Sequence, residues 1–288
     1  MASPDTIYAK SYGSLVANLA QQKGSKLRNT VMIKSGVNAE ETYMDQLAAF
    51  TVRTKGARGS ETDPEALNVS RRRIALEDKF SAKFIDKSDD IRTLADPTSA
   101  TVMAGMWGLG RQIDQTIYDA ARGTAYTGKV GGTSVALPSG QKVAVGSTNM
   151  TIDKWLAAKE ILDGNDYSEE GRVLVIGSSA LASLLDETEI KSADYNSIKA
   201  LVRGEINSFL GFQVIRVSDT ILTSVSTTQY LIAFARQAMG LAIGQDIVSK
   251  IDLLPQNHYM KQLYFSMSLG ASRLEEEGVV EIAINTSA

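Results

Sequence analysis

The sequence has 288 residues, of which 43% are hydrophobic and 22% are charged, which is enough for a substantial core without metals or crosslinks. The absence of cysteine excludes disulfides and thiolate zinc sites, and the single histidine excludes a multi-histidine metal site. A net charge of −3 argues against a general nucleic-acid binder. No apolar run approaches the roughly 18 residues that a membrane span needs.

Residues 1–45 are expected to form an arm that cannot fold alone. Gly13 and Gly24 interrupt its one short apolar pattern. Between residues 1 and 36 the lone acid is Asp5, against these basic residues: Lys10, Lys23, Lys26, Arg28 and Lys34. Such a segment suits a polyanion or an acidic partner, although a solvated basic arm is the commoner explanation.

Residues 46–92 predict a long hairpin with a wide, charged tip. Residues 50–53 favour an outgoing strand, and the polar stretch 55–64 favours a turn. On the return, 71–84, the even positions from 74 onward are apolar with Asp78 as the exception, which is typical of a strand with one buried face. The hairpin has too little apolar surface for its own core, so we expect it to lie along a neighbouring subunit.

A long helix is predicted over residues 97–122. Asp96 suits the N-cap and Pro97 the first helical position, and Gly123 ends the helix. Its apolar residues form one stripe: Val102, Met106, Leu109, Ile113 and Ile117. Three glycines lie inside it, at 105, 108 and 110. Their place within a helix favours close packing or a bend over a nucleotide site.

After a loop rich in glycine, serine and threonine, residues 150–258 predict an α/β unit and residues 259–288 a strand-rich end. No internal repeat is present, which argues against a repeat architecture. The predicted elements are helices over 152–164 and 197–209, a short helix from Ser178 or Ser179, and strands over 172–176, 211–218, 230–234, 259–269 and 280–284.

No catalytic arrangement is found in the sequence. His258 as a base would need a nucleophile, and Ser179 lacks the second glycine of a nucleophile elbow. Asp163 begins a stretch similar to a calcium loop, but positions six and twelve hold Ser168 and Leu174 instead of glycine and glutamate. We therefore expect a protein that is not an enzyme, with no catalytic residue, no cofactor and no metal site.

The order of these parts resembles the Hong-Kong-97-like fold of tailed-phage major capsid proteins. Local sequence is similar too, over 80–123, over 172–218 with its ending Leu-Gly-Phe212-Gln-Val-Ile-Arg, and over 264–284. The resemblance implies an α+β fold with an N-terminal arm at 1–45, an E-loop hairpin with flanking strands at 46–92, a P-domain at 93–149 and 259–288 that contains a spine helix at 97–122, and an A-domain at 150–258.

By this resemblance the chain would be a major capsid protein. It would assemble with itself, through hexamers and pentamers, into an icosahedral or prolate head shell around double-stranded DNA. It would be a virion protein assembled in the host cytoplasm, with no membrane contact, and its further partners would be scaffolding, portal and decoration proteins. The candidate intersubunit residues are Lys55, Arg58, Arg71, Arg72 and Arg73, and the candidate interior-facing cations are Lys23, Lys26 and Arg28.

Two other functions remain open. An encapsulin-like bacterial compartment shell has the same fold and differs in packaging an enzyme cargo. A soluble α/β enzyme is favoured only by residues 150–258. The enzyme alternative predicts a small oligomer of defined size and a loss of activity when His258 or Ser179 is changed.

Overall fold

A computed structural model describes residues 21–47, 50, 52–56, 58–59, 61, 64, 66, 68–85, 98–186 and 208–287. Within these ranges the α-helices are α1 (Thr98–Arg122), α2 (Ile152–Gly164) and α3 (Ser178–Asp186). None of the helices in the described ranges has the length and apolar content of a membrane span.

The strands of the described residues follow one another along the chain. They are β1 (Met32–Ser35), β2 (Glu41–Leu47), β3 (Val69–Ala75), β4 (Glu77–Ile85), β5 (Ala125–Thr127), β6 (Thr133–Val135), β7 (Lys142–Val143), β8 (Arg172–Ile176), β9 (Ser208–Phe209), β10 (Phe212–Arg216), β11 (Ser224–Val225), β12 (Thr228–Ala235), β13 (Met239–Leu254), β14 (Met260–Arg273) and β15 (Val279–Asn285).

These strands form three sheets, which we number I to III. Sheet I has the order β1-β13-β14-β4, and α1 packs against its β14 strand. Sheet II has the order β2-β3-β5-β6 and contains the base of the hairpin. Sheet III has the order β7-β15-β12-β8-β10-β9, with β11 paired to β12. The mixed α+β class predicted from the sequence is confirmed.

The long helix predicted over 97–122 is confirmed as α1. Its apolar stripe faces the core at Leu109, Ile113 and Ile117, whereas Met106 is 43% exposed. The helix ends where predicted, since the Gly123 N–H donates to the carbonyl of Asp119 at 2.7 Å. The expected cap residues 96 and 97 lie outside the described residues.

Two glycines of α1 allow close contacts that a side chain would prevent. A Cβ atom on Gly105 would lie 2.5 Å from a ring carbon of the buried Phe265, and one on Gly110 would lie 2.6 Å from the backbone of Gly24. The helix therefore contacts sheet I at the first position and the arm at the second. This confirms close packing as the reason for glycine at 105 and 110.

Sheet III forms the centre of the unit predicted as α/β. Its strand β8 is buried along its whole length, as the continuous apolar run over 172–176 predicts. Strands β8 and β10 run parallel, and β12 pairs antiparallel with β8 on the other side. Helix α2 begins at the predicted place, where the Thr151 hydroxyl accepts the Lys154 N–H.

The structure corrects the predicted hairpin strands. Residues 71–84 do not form one strand, because β3 ends at Ala75 in sheet II and β4 begins at Glu77 in sheet I. Between them the Leu76 N–H donates to the carbonyl of Glu40. The predicted outgoing strand at 50–53 is also wrong, because the strand that pairs with β3 is β2, which ends at Leu47.

Two further differences concern the second half of the chain. Of the helix predicted over 197–209, residues 197–207 lie outside the described residues, and Ser208 and Phe209 form strand β9. The sequence pattern did not predict the long strand β13. The division into arm, E-loop, P-domain and A-domain stays a prediction.

Candidate intersubunit surfaces

A buried carboxylate holds the arm against α1. Asp114 is fully buried on the helix and accepts the backbone N–H groups of Lys26 and Leu27 at 3.0 and 2.9 Å, and the Ser25 hydroxyl at 2.6 Å. One turn earlier, Gly110 leaves room for the arm backbone to approach. The arm from Gln22 onward is thereby fixed to the body of the subunit.

The three basic arm residues predicted to face the interior all have contacts within the chain. The ammonium of Lys23 lies 5.6 Å from the ring centre of Trp107, and that of Lys26 donates to the carbonyl of Arg216 at 2.7 Å. The guanidinium of Arg28 binds both carboxylate oxygens of Asp246. Which side of an assembly they face stays a prediction.

Two of the predicted intersubunit arginines form exposed ion pairs at the base of the hairpin. Arg71 pairs with Asp45 at 2.5 Å, and Arg73 pairs with Glu41 at 3.0 Å. Both pairs join β3 to β2, and the two side chains of each pair retain about a third or more of their accessible surface. Exposed pairs of this kind contribute little to stability.

Arg72, the third of these arginines, points into the subunit instead. It binds Glu276 at 2.5 Å, with both side chains largely buried. Arg273 lies beside this pair, fully buried, and donates to the carbonyls of Ala121, Gly123 and Val135. Burial lowers the pKa of Arg273. The cluster ties sheet II to the C-terminal end of α1.

The hairpin tip carries the other two predicted contact residues. Lys55 and Arg58 are both exposed. Apolar side chains accompany them: Phe50 is 68% exposed and Val52 is 95% exposed. At the base, Leu47 is also exposed. We refer to the three exposed apolar residues Leu47, Phe50 and Val52 as the hairpin surface.

A second apolar surface lies on the face of sheet I that points away from α1. Phe265, in β14, faces the helix, and its strand neighbour Tyr264 therefore faces the opposite way. Phe80 is 70% exposed and stacks on Tyr264 with ring centres 6.1 Å apart, and Phe84 is 53% exposed. We refer to Phe80, Phe84 and Tyr264 as the sheet-I patch.

The residues considered for catalysis are not brought together. Ser179 lies at the start of α3 beside sheet III, and its neighbour Ser178 donates its N–H and hydroxyl to Asp219. His258 lies in the turn between β13 and β14 of sheet I. The part of the chain that the structure describes contains no group of His, Asp and Glu side chains suited to a metal.

The segment similar to a calcium loop has its first carboxylate already bound. Asp163 accepts Arg172 at 2.5 Å and lies 3.1 Å from the ammonium of Lys159. The bond from Arg172 lowers the pKa of the Asp163 carboxyl. Asp163 therefore acts as an ion-pair partner that fixes the start of β8.

Comparison with known proteins points to one family. The family model described as "Phage capsid protein" matches residues 5–285. Comparison with curated protein sequences gave no significant match.

Solved structures of phage particles are similar over almost the whole chain. The chain of Mycobacterium phage Che8 is 16% identical with a TM-score of 0.70, and 98% of each chain is covered. The capsid of Ralstonia phage GP4 is 13% identical with a TM-score of 0.75, covering 99% of this chain and 97% of that one. The capsid of cyanophage P-SCSP1u is 16% identical with a TM-score of 0.71, covering 97% and 94%. At these identities the likeness shows the fold, which is Hong-Kong-97-like.

Proposed function

The chain belongs to the phage capsid protein family and is a major capsid protein of the virion shell, and from this premise we propose which of its surfaces join one subunit to the next. The hairpin surface of one copy covers the sheet-I patch of a neighbouring copy. Both surfaces lie open within the described part of a single subunit. Because every subunit carries both, the contact repeats from copy to copy until the shell closes.

The observation that carries this proposal is the exposure of Phe80 and Phe84 on an otherwise regular strand. Large apolar patches on a monomer mark interaction sites. Covering the exposed part of each ring is worth about 1–2 kcal/mol. The stacking of Phe80 on Tyr264 holds the patch in a defined shape before a partner arrives.

The finer features of assembly rest on the same premise. Hexamers and pentamers of this chain would close an icosahedral or prolate head around double-stranded DNA, with assembly in the host cytoplasm. Scaffolding, portal and decoration proteins would be further partners. The arm cations Lys23, Lys26 and Arg28 would face the interior, and Lys55 and Arg58 would lie at the contact between neighbours.

The family and fold of the chain can be explained by a structural role, with no need for a catalytic function. The family and the fold are those of structural proteins. Ser179 lies in helix α3 and His258 in the turn between β13 and β14, which supports a role in which neither acts on a substrate. We propose that the chain is not an enzyme.

Electron microscopy of the purified full chain, with and without the products of neighbouring genes, tests the proposal. We expect closed shells, tubes or rings of subunits from the wild type, and small soluble species from Phe80→Ser and Phe84→Ser. Phe80→Leu keeps an apolar side chain of similar size and is the matched control, expected to assemble. Normal shells from both serine variants would contradict the proposed contact, and a co-purified enzyme cargo would favour the encapsulin alternative.

A further inference from the structure

A cluster of basic side chains forms where the arm crosses α1. Lys23 lies over Trp107 of the helix, and Arg111, one turn later on the same face, donates to Gln21 and to the carbonyl of Gln22. The bond from Lys26 to the carbonyl of Arg216 brings the end of β10 beside the arm. We call these residues the basic surface: Lys23, Lys26, Arg28, Arg111 and Arg216.

These cations keep donors free for a ligand. Lys23, Lys26 and Arg216 are exposed. An ammonium group has three N–H donors, and Lys26 uses one of them for Arg216. Because their contacts are mainly to backbone carbonyls, an amide and a ring, the positive charges of Lys23, Lys26 and Arg111 are not cancelled by these partners.

Arg28 differs from Lys23, Lys26 and Arg111 because its guanidinium forms an ion pair with an acidic side chain. Asp246 takes both of its guanidinium bonds, and the side chain of Asp246 is 55% exposed. This bond raises the pKa of Arg28 and lowers that of Asp246, so both are charged at neutral pH. An exposed pair is weak enough for an external anion to compete with it.

The surroundings favour a phosphate backbone over a protein partner. Residues 21–30 carry no exposed large apolar side chain, whereas a stable protein interface needs an apolar centre. Phosphate contacts need only spaced cations and no pocket. The residues come from the arm, from α1 and from β10, so the surface exists only in the folded subunit.

We propose that the basic surface binds the phosphate backbone of double-stranded DNA and that Asp246 weakens this binding by competing for Arg28. The proposal deepens the proposed function, because it names the side chains that would face packaged DNA. It adds Arg111 and Arg216 to the arm residues, and it makes Asp246 an internal competitor of the ligand.

Binding of a labelled 20-base-pair duplex to the purified full chain, measured by fluorescence anisotropy over a range of salt concentrations, tests the proposal. For Lys26→Ala and Arg216→Ala we expect the slope of log affinity against log salt to become shallower by about 0.9 per cation removed. Asp246→Asn keeps the acceptor for the Ile247 N–H but frees Arg28, and we expect affinity to rise about two- to fivefold. Lys142→Ala, which removes an exposed cation in sheet III, is the control and should change nothing.

Three results would overturn the proposal. The first is wild-type affinity and slope in both Lys26→Ala and Arg216→Ala, and the second is no tightening in Asp246→Asn. The third is binding of poly-glutamate without binding of the duplex, which would make an acidic protein the partner. Shell formation by the same variants is scored separately by microscopy, so a failure of DNA binding leaves the proposed function standing.

Discussion

The carboxylate of Asp114 accepts the backbone N–H of Leu27 at 2.9 Å, across 87 positions of sequence, with both residues fully buried. The same carboxylate accepts the N–H of Lys26. A single side chain of α1 thereby replaces the backbone partners that a strand or helix would have given this part of the arm. Because Leu27 is itself a core residue, the bond also fixes an apolar contact.

Asp114→Ala should destabilise the subunit by about 2–4 kcal/mol, since it leaves two backbone donors without a partner. Asp114→Asn keeps one accepting oxygen and should lose roughly half as much. The free energy of unfolding in urea measures both. Asp119→Ala, at an exposed position of the same helix, is the control, and an equal loss in it would show that the arm contact is not the cause.

The glycines of α1 provide a matched pair. Gly105→Ala places a methyl group 2.5 Å from the ring of Phe265, which is buried. Overpacking costs about 1–3 kcal/mol and helix propensity returns about 1 kcal/mol, so we expect a net loss of up to about 2 kcal/mol.

Gly108→Ala has its nearest contact at 3.7 Å and should raise stability by about 0.5–1 kcal/mol. Calorimetric melting temperatures of the two variants should therefore shift in opposite directions. A rise in both would mean that the helix does not pack closely on sheet I at Gly105.

The period-two pattern over 71–84 identifies which side chains are apolar, but it does not say what covers them. Ile74 is buried in the subunit, whereas Phe80 and Phe84, on the same predicted face, are exposed. The break at Leu76 is also invisible in the pattern, because the alternation continues through it while the strand changes from sheet II to sheet I. The excess of apolar surface therefore predicts a neighbouring subunit without naming the residues that it contacts.

Strand β13 shows why a long element can escape prediction. Its first five residues, 239–243, are all buried, so they show no alternation, and two irregularities between Ile243 and Val248 shift the register of the rest. The partners Asp114 and Asp246 could not be predicted either. Their bonds to the arm join positions far apart in the chain, and a single sequence carries no signal for such pairs.

The two kinds of arginine pair in the hairpin base should respond differently to loss of the acid. Glu276→Ala removes the carboxylate that binds Arg72 and lies 3.6 Å from Arg273, both largely buried cations, and we expect a loss of about 3–5 kcal/mol. Asp45→Ala removes the partner of the exposed Arg71 and should leave the free energy of unfolding almost unchanged. Urea unfolding compares them, and equal losses would show that Glu276 is not the link between sheet II and α1.

Acid should weaken the subunit in part through Asp163. The bond from Arg172, helped by Lys159, holds the pKa of this carboxyl below its ordinary value of 3.8. A group whose pKa is lower in the folded state contributes stability above its unfolded pKa and loses it as pH falls through the folded pKa. The contribution of Asp163 is therefore present at neutral pH and disappears below about pH 3.8. Asp163→Asn should lower the melting temperature at pH 7 and flatten its decline between roughly pH 5 and 2. A decline as steep as that of the wild type would assign the acid sensitivity to other carboxylates, of which Asp246 beside Arg28 is the next to test.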